Sequence, residues 1–457
     1  MDQSPRLKLK NGYTVYAYGG DFNKNDPSDL NFCDNGLVSP ERVPNPHAYE
    51  VQYFYQNIWT SLANGGVEVF NENFFKTLDD CTLEWTVIQD GKAVKSGSAK
   101  DFSIAPQQKG LVKLDIWPIS GLGESFLNVS YSLNRQSGVL PAGYVIARQQ
   151  IPLGSGKHVN PKTISRKVPS YSIPNGKSLI VKGSDFTISF SKEGWLESYV
   201  IEGTQMLRGG EVLKPNFWRA PTDNDFGANL QTKYSVWKSP DLDLQSFKTE
   251  AKDAYVIATA VYKIGGTGAL LTLSYRIGDT GAIEVTESMK AEPGKEIPNL
   301  FRFGMQMTLP KSFNRMEWYG RGPGENYADR KDNTFIGIYN GPVSKQYYPY
   351  IRPQENGNKT DIRWMTILDS KGKGLKITAE EPFSGSALHY SIETLDEGKA
   401  KRNRHAEEIR EDNLTNVLID KVQMGLGCLN TWGALPLEKY MLPYADYSFK
   451  FTITPVK

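Results

Sequence analysis

Two carboxylates four residues apart, Glu325 and Asp329, stand in the stretch Arg321-Gly-Pro-Gly-Glu-Asn-Tyr-Ala-Asp-Arg330, beside two arginines and a tyrosine. A carboxylate pair can divide the acid and base roles of a hydrolysis, provided one member keeps a proton. Arg321 and Arg330 flank this pair, and guanidinium neighbours favour ion pairing over proton donation. The spacing after Gly-Pro-Gly therefore predicts ion pairs that pin an inter-strand loop, with Glu325 and Tyr327 lining a domain contact. Glu355, in Pro353-Gln-Glu-Asn-Gly-Asn358, is read in the same structural way, with Arg363 as its partner.

Other chemistries lack their residues. His47, His158, His389 and His405 never fall at i, i+4 around a carboxylate, so no zincin-type helix is present. Cys33, Cys81 and Cys428 are odd in number and show no CxxC spacing, which predicts reduced, mostly buried thiols rather than a disulfide framework or a zinc site. The run Asp21-Phe-Asn-Lys-Asn25 imitates the start of a calcium loop, but Asp26 replaces the glycine at position six and Phe32 the closing glutamate. A formal net charge of +2 over 457 residues points neither to nucleic acid nor to an anionic membrane surface. The mixed-sign run at 398–412, Gly-Lys-Ala-Lys-Arg-Asn-Arg-His-Ala-Glu-Glu-Ile-Arg-Glu-Asp, reads as a solvated turn or helix face.

Four glycine-rich blocks combine aromatic rings with amides and charges: 214–227 (KPNFWRAPTDNDFG), 317–330 (EWYGRGPGENYADR), 350–364 (YIRPQENGNKTDIRW) and 423–433 (QMGLGCLNTWG). That mixture suits a neutral sugar, whose C–H faces stack on aromatic rings while its hydroxyls meet amides, carboxylates and guanidinium groups. Neither a phosphate-cradling GxxxxGK[ST] nor a GxSxG elbow accompanies them.

The elements that must carry these blocks read as strands. Residues are 12% aromatic, and short alternating runs recur between turn signals, such as Leu83, Trp85 and Val87 before Asp90-Gly91. About seven strands within roughly a hundred residues, starting near Ala48 with Tyr53-Phe54-Tyr55, have the spacing of an immunoglobulin-like sandwich. Residues 152–177 are rich in Pro, Gly, Ser and Lys and read as a linker. Beyond them, persistent alternation over about 280 residues predicts a large antiparallel sandwich. The N-terminal MDQSPRLKLK lacks the apolar run of a signal peptide, and no window nears the ~18 apolar residues of a membrane helix, leaving cytoplasm and periplasm both open.

The four blocks, in this order, resemble the C-terminal small-chain domain of LacZ-type β-galactosidases of glycoside hydrolase family two. The loop Tyr18-Gly-Gly-Asp-Phe22 through Asn31-Phe-Cys-Asp-Asn-Gly-Leu-Val38 is similar to the end of their catalytic barrel. The resemblance implies an all-β chain in four parts: residues 1–49 as the tail of a TIM barrel, 50–152 as the immunoglobulin-like sandwich, 153–177 as a linker, and 178–457 as a super-β-sandwich. Met1-Asp2-Gln3 matches the close of the family's last barrel strand, which implies that both catalytic glutamates lie upstream and that this chain supplies no catalytic residue.

The resemblance also assigns binding residues. Trp432 matches the tryptophan that walls the galactose pocket. Asp223 and Asn224 lie in a loop beside that pocket, whose alternative reading is a turn held by its own side chains. Phe32, through its carbonyl, and Asn35, through its side chain, match a partial sodium site, with Asn35 also near the sugar; the family's Mg2+ ligands fall outside this chain. Cys428-Leu-Asn-Thr431 departs from the Gly-Asp-Asp/Asn-Ser run that many relatives place before the tryptophan. The implied function is that of the C-terminal part of a β-galactosidase acting on terminal β-D-galactosides by a retaining mechanism, in partnership with its barrel portion and as a homo-oligomer when complete. The rival reading is a stand-alone carbohydrate-binding β-sandwich.

Overall fold

The computed structural model describes residues 2–23, 25–117, 123–176 and 178–457, so Met1 of the matched Met1-Asp2-Gln3 lies outside the described residues. The chain forms two compact units. One comprises Pro44–Val159 and Asp332–Ile338; the other comprises residues up to 43 with Asn160–Lys331 and Tyr339–Lys457.

The smaller unit is an antiparallel sandwich. Ile58–Ala63, Gly66–Asn71 and Lys109–Lys113 form one sheet; Lys92–Ala99, Cys81–Gln89, Ser125–Leu133 and Val145–Pro152 form the other in that order. The period-two pattern sets which side chains go inside: along Ser125–Leu133 every second residue is buried. Leu83, Trp85, Val87, Leu127, Val129 and Tyr131 meet in its core. Asp90 and Gly91 both take positive φ between the paired Gln89 and Lys92, the two-residue turn that the strand twist favours.

One expectation fails here. Tyr53-Phe54 are helical, not extended: Pro46–Phe54 is an α-helix with Asn45 extended at its N-cap and Pro46 in its first turn. Proline pre-sets the helical φ there, and three adjacent aromatics carry no period that could distinguish strand from helix. Cys33 is exposed rather than buried, Cys81 is buried, Cys428 lies between, and all three are free thiols.

In the larger unit one extensive antiparallel sheet runs through Lys214–Asn216, Arg302–Leu309, Thr415–Gln423, Gly374–Leu388, Tyr447–Val456, Ile283–Lys290, Leu270–Ile277, Tyr255–Ile264 and Leu242–Lys252. Lys359–Leu368 branches from Gly374–Leu388 and pairs in turn with Arg315–Gly322. A five-stranded sheet, from Ser170–Ser172 to Thr204–Gln205, shares its core, since Val181, Ile188 and Phe190 belong to the same buried cluster as Val256, Leu273 and Val285. Tyr255–Ile264 alternates buried and half-buried side chains, whereas every residue of Arg302–Leu309 is buried, because both faces of that strand are covered. The fold is thus all-β: an immunoglobulin-like sandwich and a large super-β-sandwich, with residues up to 43 contributing a short hairpin, Arg6–Lys8 with Thr14–Tyr16, and a turn of 3-10 helix at Leu30–Asp34.

Candidate functional site

The block Trp218–Gly227 closes on itself through a capping box. After Pro221, Thr222 caps the short helix Asp223–Gly227: its hydroxyl accepts from Asp225 N at 3.2 Å, and the Asp225 carboxylate accepts from Thr222 N at 2.8 Å. Asp225 also takes Arg219 bidentately, at 3.0 and 2.7 Å, with both side chains buried. Arg219 spends its other donors on the carbonyls of Met424, at 2.8 Å, and Gly425, at 3.2 Å. One guanidinium therefore joins the helix to the loop that carries Trp432.

Further groups hold that loop. The Asp329 carboxylate accepts from the backbone N–H groups of Leu426, at 2.9 Å, and Gly427, at 3.1 Å. Asn224 Nδ2 donates to Leu426 O at 3.1 Å. Arg302 lies buried between Glu355, at 2.7 Å, and Asp420, at 3.1 Å, and Glu355 N donates to Ala220 O. Burial pushes the Asp420 carboxyl up to about 7 in spite of the neighbouring guanidinium. Gly433 takes φ +82°, and a Cβ on it would fall 2.6 Å from Gly227 O, so only glycine allows the two backbones to approach this closely.

On this frame Trp432 is 58% exposed. Its Nε1 donates to Asp223 O at 3.1 Å, and Lys401 Nζ lies 5.4 Å from its ring centroid. The same ammonium is 2.5 Å from Asp223 Oδ1, and Arg352 Nη1 is 3.7 Å from that oxygen. Arg352 is itself buried against Glu397 and against Asn31 Oδ1, at 3.4 Å. Burial lowers the pKa of both Lys401 and Arg352. Lys401 and Asp223 thus border one exposed indole, while Arg352, buried and paired with Glu397, stands on the Asp223 carboxylate.

The segment after Glu397 continues into the chain's N-terminal part. Asn403 Nδ2 donates to Asp21 Oδ1 at 2.8 Å, Tyr18 Oη donates to Arg404 O at 2.6 Å, and His405 sits between Asp21, at 2.8 Å, and Glu408, at 2.9 Å. The run at 398–412 is therefore a strap that turns Lys401, Arg404 and His405 inward, while Lys399, Ala400, Arg402, Arg410 and Glu411 keep a solvated face. Composition alone hid this, because its partners lie nearly 400 residues away.

Trp432, Asp223 and Asn224 come together in one loop cluster. Trp432 is exposed, and Asn224 faces the loop backbone. Phe32 and Asn35 are both exposed and stand at the Leu30–Asp34 turn, whose Asn31 reaches Arg352. Their two neutral oxygens are suitable donors for a hard cation but fill only part of its shell. Among the described residues no three His, Cys, Asp or Glu side chains are placed to hold a metal ion.

Glu325 accepts from Arg330, from Tyr350 Oη and, at 2.7 Å, from Gly357 N. Arg321 turns instead to Asp361, at 2.6 Å, and the partner of Glu355 is Arg302, not Arg363, whose guanidinium donates to Asp361 O. Sequence reasoning missed Arg219, Arg302, Arg352 and Lys401 as the organising cations; the RAPTDND and IRPQENG blocks marked the loops, without saying which charges would meet.

Comparison with known proteins agrees with this architecture. Residues 182–453 match the family described as "Beta galactosidase small chain", 67–154 "Beta-galactosidase, domain 4", and 1–60 "Glycosyl hydrolases family 2, TIM barrel domain". A β-galactosidase of Priestia megaterium is 32% identical over 99% of this chain and 43% of its own length. Those of Streptococcus thermophilus and Lactobacillus delbrueckii subsp. bulgaricus are 30% and 31% identical, covering 100% and 93% of this chain but 44% and 41% of theirs. The chain thus spans less than half the length of these relatives. With its sandwich matched from 182 to 453, the chain belongs to the β-galactosidase small-chain family.

Proposed function

We propose that the protein is the C-terminal part of a β-galactosidase that removes terminal β-D-galactosyl residues by a retaining double displacement. The observation that carries this reading is the exposed Trp432 indole, fixed at its Nε1 edge and bordered by Asp223 and Lys401. Such a face stacks on the C–H bonds of a pyranose, while the charged rim meets hydroxyls. The two carboxyl groups of a retaining enzyme must stand about 5–5.5 Å apart across the scissile bond. Glu325 and Asp329 are spent as acceptors for Arg330, Tyr350 and three backbone N–H groups, so the catalytic glutamates come from the barrel portion. Phe32 O and Asn35 would add two oxygens to a sodium ion completed by that portion; bound there, the ion would supply a fixed positive charge near sugar hydroxyls.

The test is hydrolysis of a chromogenic β-galactoside by the purified chain, by a separately made barrel portion, and by their mixture. Activity in the mixture alone is the expected result. Activity in the chain alone would overturn the assignment of catalysis to the barrel. Galactose binding by the chain, with no activity in any mixture, would establish a carbohydrate-binding module instead.

A further inference from the structure

We propose that Lys401 is a substrate-contacting residue that selects neutral pyranosides, its ammonium donating to one hydroxyl of the sugar stacked on Trp432 while Asp223 accepts from the neighbouring one. The inference rests on the sugar site proposed above and adds to it a residue that belongs to no recognisable motif.

Position supplies the first argument. Lys401 comes from a stretch whose neighbours Lys399, Ala400, Arg402 and Asn403 are all exposed, yet its own ammonium turns inward. Withdrawing an ammonium from water is costly unless something compensates it, and the lowered pKa shows the cost of that burial. What the ammonium reaches is the Asp223 carboxylate and the Trp432 ring, two groups of the same exposed site.

The fold does not require this contact. The helix Asp223–Gly227 is already held by its capping box and by Arg219. Arg352, almost wholly buried, already ties Asp223's surroundings to Glu397 and Asn31. Trp432 is anchored through Nε1, and Gly227 packs so closely that a Cβ there would lie 2.8 Å from Cε2, which closes that side of the indole. Lys401 Nζ lies over the same ring, 5.4 Å from its centroid, within reach of a hydroxyl of a sugar resting on that indole.

Charge supplies the second argument. Asp223 and Glu397 balance Lys401 and Arg352, so a neutral ring adds no uncompensated charge. An ammonium and a carboxylate side by side present a donor beside an acceptor, the complement of two vicinal hydroxyls. An anionic sugar would instead compete with Asp223 for both cations.

The experiment uses the complete enzyme carrying Lys401→Met, which keeps the apolar stem, and Lys401→Arg, which keeps the charge. Kinetics on a neutral aryl β-galactoside are read beside the thermal midpoint. Loss of one charge-assisted hydrogen bond should raise KM about tenfold in Lys401→Met, with kcat within about threefold, an unshifted midpoint, and most of the affinity restored in Lys401→Arg. An unchanged KM in Lys401→Met overturns the inference, as does a KM that rises equally in both variants together with a falling midpoint, the mark of a structural strut. If the unaltered enzyme hydrolyses no β-galactoside, the functional reading has failed, and the same variants are then titrated calorimetrically with D-galactose and D-glucose. Weaker binding in Lys401→Met alone sustains the inference; equal binding, or none, ends it.

Discussion

Lys359 carries its ammonium into the interior of the larger sandwich, where it donates to Gly357 O at 2.9 Å and lies 5.2 Å from the Trp318 ring centroid. Burial lowers its pKa to about 8, although Glu325 pulls the other way. The folded-state value lies below the unfolded one, so the folded state bears the penalty wherever the lysine is protonated. Stability then rises with pH from about 8 and levels off near the ordinary lysine value. A shift of this size corresponds to about 3 kcal/mol. Lys359→Met should therefore raise unfolding stability at pH 7 by up to that amount, and the gain should shrink towards pH 10; urea titrations at the two pH values decide it. A variant less stable than the parent at pH 7 would show that the Gly357 and Trp318 contacts outweigh desolvation.

Among elements, the Trp432 loop depends on an acceptor supplied from outside it. Asp329 offers both oxygens to Leu426 and Gly427, so Asp329→Asn leaves one N–H facing an amide donor. Hydrogen exchange at those two amides should accelerate by roughly tenfold to a hundredfold, in line with about 1–3 kcal/mol for one unmet buried donor, while exchange in Tyr255–Ile264 stays unchanged. Unaltered exchange at Leu426 and Gly427 would remove Asp329 from this role. Strand content was legible in the sequence, because alternation such as Leu83, Trp85 and Val87 reports one buried face directly. So was the Asp90-Gly91 turn, whose chemistry is local. The helix Pro46–Phe54 was not, since its aromatics leave the period undefined, and neither were the pairs Arg302–Glu355 and Arg352–Glu397, since ion-pair choice is made by tertiary proximity that no spacing encodes.

At the scale of the whole molecule, two separate hydrophobic clusters serve the two units. Calorimetric unfolding should accordingly show two transitions. Leu83→Ala, which empties a fully buried position of the smaller cluster, should lower one transition by the equivalent of about 2–5 kcal/mol and leave the other in place. A single transition that moves as a whole would instead mean one cooperative system.

The strap from Glu397 to Glu408 bears on how this protein can be cut. Its partners Tyr18 and Asp21 precede the smaller sandwich in sequence, yet belong to the larger unit, as does Asn31, which faces Arg352. A gene fragment opened at residue 160, where the larger sandwich resumes, would leave the buried His405 imidazole with Glu408 but without Asp21, and the buried Arg352 guanidinium with Glu397 but without Asn31. Shortening the chain from its front is therefore not a neutral trim: the sandwich that closes the sequence is finished by residues translated more than a hundred positions before its first strand.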